Sequence, residues 1–170
     1  MPPRTEADVR YSDPEALPVA WDDAVARLSA AEIYWVATVR PGRGAHLTPV
    51  IGVVDDGVFH FCTGVGEQKE RNLRFNAHCT VLTGTNAIST GTDVILEGVA
   101  EQVTDDAELK RLAVAWAAKY GDDWRFEVSG GAFHHRESPS HDVPVFGIRP
   151  SVGYAFGRMP SSHTRYSFAT

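Results

Sequence analysis

Phe61-Cys62-Thr63-Gly64-Val65-Gly66-Glu67-Gln68-Lys69-Glu70-Arg71-Asn72-Leu73-Arg74-Phe75 passes from a strand-like run into a short helix across two glycines. Gly64 and Gly66 permit a backbone path that other residues adopt only with strain. A helix that starts at Glu67 has free N–H groups in its first turn, and such a start attracts an anion, a phosphate above all. Lys69, Arg71 and Arg74 add positive charge within the next two turns. Lys69, Asn72 and Leu73 share a face by their i, i+3, i+4 spacing, so a cation and an amide point together while Leu73 anchors the helix. A loop leading to a surface helix with solvated charges accounts for the same residues. Spacing alone does not separate the two readings.

Toward the N-terminus, Val58 to Thr63 reads as a strand, entered through a tight hairpin at Asp55-Asp56-Gly57. Ala45 to Val54 is its partner, preceded by the turn Pro41-Gly42-Arg43-Gly44 and the strand Ile33 to Arg40. A helix over Trp21 to Glu32 carries Asp22 and Asp23 in its first turn, where they complement the helix dipole. Toward the C-terminus come strands at Cys79 to Thr83 and Thr92 to Val103, then the best helix of the chain. Leu109, Leu112, Ala113, Trp116, Ala117 and Tyr120 make one apolar stripe, and Gly121 stops it. Asp122 to Asp142 is expected to be irregular. Val143 to Ile148 and Val152 to Phe156 are the last strands, interrupted at Arg149-Pro150. Strands in a meander, with helices interrupting rather than alternating, favour an antiparallel barrel with appended helices over a parallel doubly wound sheet.

The 170 residues, 43% of them hydrophobic, fit one domain, with residues 1–20 as a flexible arm and 21–170 as the barrel. The formal charge of -6 disfavours a nucleic-acid partner. No apolar run approaches the roughly 18 residues of a membrane helix, and no secretory h-region follows the proline-rich start. A cytoplasmic location is expected. Cys62 and Cys79 are expected as buried, reduced thiols.

Other residues invite a chemical reading. Pro49, inside the strand His46-Leu47-Thr48-Pro49-Val50, removes a ladder donor and marks an edge where backbone groups could meet a planar heterocycle. A plain edge strand explains it equally. His134, His135 and His141 have no cysteine or paired carboxylate beside them, so a surface loop or a lid is expected rather than a metal site. His60 reads as a packed barrel histidine. Ser89, Ser129 and Ser138 lack a nucleophile-elbow context.

Trp35-Val36-Ala37-Thr38, Gly44 to Val50, Asp56-Gly57, Phe61 to Gly64, Lys69 to Leu73 and Asp93 to Ala100, taken in order, resemble the pyridoxamine 5′-phosphate oxidase-like flavin and deazaflavin oxidoreductases. Pro150 to Phe156 and Thr164 to Phe168 are similar to the C-terminal end of the actinobacterial members. The resemblance implies an FMN-binding split β-barrel, mainly β with appended helices, in an obligate-type homodimer with cofactor sites at the interface. By position, Thr48, Pro49 and Val50 would line the isoalloxazine edge. Phe61, Cys62 and Thr63 would flank the ribityl chain, and Lys69 and Asn72 would lie near the phosphate. Arg165 and Tyr166 would reach the site from the partner subunit.

The cofactor implied is coenzyme F-420, a deazaflavin, or FMN, with a slight lean to the deazaflavin. The function implied is an oxidoreductase that passes a hydride to a small planar conjugated substrate. Vitamin B6 oxidation is not expected, because the longer arginine- and histidine-bearing C-terminus of true pyridoxamine phosphate oxidases is not found. A non-catalytic flavin-binding or storage protein and a haem-binding split barrel are the alternatives. One departure stands out: many members carry Ser, Thr or Arg where this chain has Glu67. Either Glu67 points away from the anion, or phosphate binds more weakly than the pattern implies.

Overall fold

The computed structural model describes residues 2–135 and 138–169. In chain order the elements begin with β1 (Arg4–Ala7), α1 (Trp21–Ala30), β2 (Tyr34–Val39), β3 (Ala45–Val50), β4 (Gly52–Asp55) and β5 (Val58–Cys62). Then come α2 (Gln68–Phe75), β6 (His78–Thr83), β7 (Thr92–Val103) and α3 (Asp106–Tyr120). A 3-10 turn at Asp122–Trp124 leads to β8 (Phe126–Ser129), β9 (Ala132–His135), β10 (Ser138–Val143), β11 (Val145–Gly157) and β12 (Ser162–Ser167).

The order β1-β12-β11-β7-β6-β2-β3 forms the main antiparallel sheet, and β5 joins it through β11 while pairing β4. The result is the mainly antiparallel split β-barrel that the sequence predicts. The β4–β5 hairpin turns at Asp56 and Gly57, both at positive φ (48° and 74°), the geometry of a two-residue turn that matches strand twist. β11 closes the barrel because it is long enough for three neighbours. Its first four residues pair with β5, its last six with β12, and its whole length with β7.

Four expectations need correction. The predicted break at Arg149-Pro150 is a register shift inside one continuous strand, a bulge that absorbs the missing donor of Pro150. Gly98 lies opposite, and a Cβ there would sit 2.1 Å from the Arg149 carbonyl oxygen. The predicted strand Ala45 to Val54 is two strands, with Ile51 between them leading into separate pairings. The N-terminal arm is not loose: β1 runs antiparallel to β12 from Arg4↔Ser167 to Ala7↔Thr164. Asp8 N–H then donates to the His163 carbonyl and Val19 N–H to Thr164 Oγ1. The arm thus covers what would otherwise be an open sheet edge.

The fourth correction matters most for the site. Asp122 to Asp142 is not irregular, because β8, β9 and β10 form a second antiparallel sheet around a Gly130-Gly131 turn at positive φ. The apolar stripe of α3 holds this sheet. Trp116 is fully buried edge-on to Phe133 at 5.5 Å, and Phe133 stacks on Phe126 at 4.7 Å. Two cores result: one inside the barrel around Tyr34, Phe59, Phe61 and Leu96, and one under α3 around Trp116. α3 is capped as its sequence suggests, with Asp105 accepting from Glu108 N–H and Gly121 ending it. Among the described residues no helix is long and apolar enough to cross a membrane.

Candidate functional site

β5 ends at Cys62, and Thr63 N–H donates to the Pro144 carbonyl, which fixes where the chain leaves the sheet. Glu67 N–H then closes a turn on the Gly64 carbonyl, and Gly66 sits at a φ of 79°, which only glycine adopts freely. Gly66 N–H donates to Glu70, a carboxylate only 2% exposed that also pairs with Arg74. The loop is therefore pinned in part by Glu70, the acidic side chain of its own helix.

Three donors converge at the mouth of this loop. Thr63 Oγ1–H and the Gly64 N–H both donate to the Glu67 carboxylate at 3.2 Å, and the Lys69 ammonium pairs with the same group. Burial alone would raise the Glu67 carboxyl, but the Lys69 contact and the Gly64 and Thr63 donors outweigh it and hold it below the usual range. The two partners differ in freedom: the Lys69 side chain is 11% exposed and that of Glu67 is 51%. Glu67 does not point away from the anion position. It occupies that position.

A groove of about 490 Å³ opens beside the cradle, within the roughly 300–1,000 Å³ range of small-molecule sites. Ile33, Pro49, Val50 and Ile51 line it together with Cys62, Thr63, Gly64, Glu67 and Lys69. Trp124, Phe126, His135 and Val143, contributed by the 3-10 turn and the second sheet, line it too. His135 is held by a 3.0 Å contact between Nε2 and the Asp123 carbonyl and lies edge-on to Phe126. Desolvation pushes the Cys62 thiol up to about 12, so it is protonated at neutral pH. On β3, Thr48 Oγ1 and His46 Nδ1 are buried on one face with no hydrogen-bond partner among the described residues. Burial and then the charges of Arg40 and Lys69 hold the His46 imidazole below its ordinary value.

Of the residues expected from the sequence, Pro49, Val50, Cys62, Thr63 and Lys69 share the groove. Thr48 sits beside it on β3, its hydroxyl unpartnered. Phe61 does not flank the groove, because its position on β5 faces the barrel core, where it stacks on Phe146. Asn72 is fully buried beneath α2, donating to Thr38 Oγ1 and accepting from Gln68, so its amide faces β2 and not the anion cradle. Tyr166 is fully buried in its own subunit with its hydroxyl donated to the Val19 carbonyl. Arg165 is exposed on β12, between Glu6 and Tyr154 on the neighbouring strands. Neither lines the groove of its own chain, whose lining holds no residue of β12. The sequence reading missed Trp124, Phe126 and Val143, and it named His135 only as part of a surface loop or lid. The alternation Trp124, Phe126, Val128 before the Gly130-Gly131 turn is the one signal for the first two, and it is short.

The sequence profile of the pyridoxamine 5′-phosphate oxidase family matches residues 20–156. No curated protein sequence matches the chain. Among solved structures, a conserved hypothetical protein from Mycobacterium tuberculosis is similar, at 20% identity over 86% of this chain and 89% of that one, with a TM-score of 0.66. A FAD binding protein from Mycobacterium smegmatis shares 16% identity over 88% and 98% of the two chains, with a TM-score of 0.54. A heme binding protein from the same organism shares 18% identity over 88% of this chain but 58% of that one, with a TM-score of 0.64. At these identities the likeness concerns the fold.

Proposed function

The chain belongs to the pyridoxamine 5′-phosphate oxidase family, and we propose that within it this protein is a reductase using FMN or the deazaflavin coenzyme F-420. The observation that carries the reading is one groove whose lining is largely apolar and includes three donors, Thr63, Gly64 and Lys69, that converge on a single carboxylate. A ribityl phosphate attached to a flat tricyclic ring has that shape and polarity. The residues present fit the group: Lys69, Thr63 and Gly64 are the donor set a phosphate takes.

A bound flavin-type ring supplies the hydride chemistry. The protein's own residues bind, orient and exclude water. Lys69, Thr63 and the Gly64 N–H hold the anionic group, while Pro49, Val50 and Ile51 offer a flat apolar wall. Trp124 and Phe126 keep water from the other side. Cys62, protonated at neutral pH, offers no competing thiolate. A small planar acceptor completes the reading.

A homodimer is part of the same proposal. β3 lies at the end of the strand order, and Trp35 and Leu47 are exposed on β2 and β3 at 43% and 52%. A second copy covering that face would enclose the open side of the groove, and sedimentation analysis reads the state directly.

Fluorescence titration with FMN and coenzyme F-420, paired with absorption titration with haem, tests the cofactor. Saturable binding of a ring cofactor is expected, weakened by Lys69→Ala more for FMN than for riboflavin. A Soret band with no ring binding would overturn the reading. Reduced cofactor is then offered quinones and nitroaromatics, and absence of turnover with every acceptor would leave a carrier in place of an enzyme.

A further inference from the structure

The anion cradle already holds an anion, and it is part of the chain. Thr63 Oγ1–H, Gly64 N–H and the Lys69 ammonium all meet on the single carboxylate of Glu67. We propose that Glu67 is a resident competitor for the ligand's anionic group, displaced when a phosphate enters the cradle, and that it sets how strongly the site selects phosphorylated over unphosphorylated ligands. The inference rests on the reading of the groove as a site for a phosphorylated ring cofactor.

Three features support displacement rather than a fixed structural ion pair. The asymmetry of burial comes first. The Lys69 side chain, 11% exposed, has little access to water and is left without a close anionic partner when Glu67 departs. Glu67 is 51% exposed and regains water as soon as it turns outward.

The second feature is redundancy. The loop does not need Glu67 for its shape, because Thr63 N–H is tied to Pro144, Gly66 N–H is tied to Glu70, and the Gly64–Glu67 turn closes through backbone atoms. Glu67 bonds only to donors that a phosphate oxygen would also use. The third feature is close approach: a Cβ on residue 64 would lie 3.1 Å from Glu67 Oε1. Glycine lets an oxygen settle against the backbone there, and it does so for any oxygen.

Without a ligand, Glu67 pairs with the Lys69 ammonium. A ligand phosphate must therefore break an ion pair before it forms one, and it then shares the entrance with the expelled carboxylate. An unphosphorylated ligand meets neither cost. Glu67→Gln keeps the size and one carbonyl oxygen, enough for either Gly64 or Thr63, but removes the charge that competes for Lys69.

The test is the affinity of wild type, Glu67→Gln and Glu67→Ala for FMN and for riboflavin by fluorescence, with Gly64 amide shifts on adding inorganic phosphate followed by NMR. Folding of each variant is read from the same NMR spectra. We expect FMN to bind about three- to fivefold more tightly to both variants, the size set by loss of a half-exposed ion pair, and riboflavin to change less than about twofold on the same basis. Inorganic phosphate should shift the Gly64 amide at lower concentration in the variants than in wild type. Unchanged FMN affinity, or an equal gain for FMN and riboflavin, would overturn the proposal. If neither flavin binds any form but phosphate still reaches Gly64 more readily in the variants, the proposal stands and the flavin reading falls. If neither flavin binds and phosphate behaves alike in all three, both fall.

Discussion

Asn72 decides whether a residue expected beside a phosphate is a ligand or a strut. Its Nδ2 donates to Thr38 Oγ1 at 2.8 Å, its Oδ1 accepts from Gln68 at 2.7 Å, and the residue is fully buried. In Asn72→Ala, half-exposed Gln68 turns to water at little cost, but Thr38 is only 1% exposed and cannot. Its hydroxyl keeps one long contact, 3.5 Å to the His46 carbonyl. The lost bond costs about 1 kcal/mol and the stranded oxygen about 1–2 kcal/mol more, so a total of about 2–3 kcal/mol is expected. With a urea m-value of about 2 kcal/mol/M the unfolding midpoint falls by about 1–1.5 M. Adding Thr38→Val removes the stranded oxygen, so the double variant should recover about 1–2 kcal/mol relative to additivity. Urea melts followed by tryptophan fluorescence measure all four proteins, and FMN affinity in the folded state should stay within about threefold because α2 keeps its packing through Leu73. A midpoint shift below about 0.25 M, which is 0.5 kcal/mol at that m-value, together with a tenfold loss of FMN affinity would return Asn72 to the ligand and refute the strut.

Gly98→Ala drives a Cβ to within 2.1 Å of the Arg149 carbonyl oxygen at the β11 bulge, so the variant should lose about 3 kcal/mol or fail to fold; a urea midpoint near wild type would show that the bulge yields easily. Lys119 donates to Tyr34 Oη and the Gly52 carbonyl, and burial, opposed by Glu32, pulls its ammonium down to about 8. The unfolded chain keeps that proton up to about pH 10.4, so between pH 8 and 10 unfolding takes up protons and stability should rise with pH relative to Lys119→Met. Parallel stability curves for the two proteins across that range would contradict the assignment.

Features set by local chemistry were legible in the residues. The Asp56-Gly57 turn and the capped α3 with its apolar stripe follow from spacing within one segment, whereas the five shared groove residues were reached as a set through the family resemblance. What escaped depends on pairing between segments. β8 and β9 have four residues each, too few for alternation to stand out, and they become strands only because α3 covers one face. β12 reads Ser-His-Thr-Arg-Tyr-Ser and owes its form to neighbours on both sides. Asn72 and Lys69 share a helix face by spacing, but that face meets both β2 and the groove, and only the packed structure divides the two residues between them. Glu67 shows the same limit for charge. Residue type marks it as misplaced beside an anion site, but only the directions of Thr63 and Gly64 reveal that it fills that site.

The pairing of β1 with β12 also carries a consequence for how the chain is made. The two strands lie about 160 positions apart in the sequence, from Arg4 to Ser167 at one end of the register, and β11, the strand on the far side of β12, recruits β5 and β7 from well upstream. Contacts of such long range form slowly. During synthesis β1 waits without a partner until β12 has left the ribosome, and the barrel has no closing strand until β11 follows β7 out. An N-terminal stretch this long exposed ahead of its partners is a natural client for holdase chaperones. A pause anywhere between β1 and β12 lengthens that exposure, and one after β7 also delays closure of the barrel by β11.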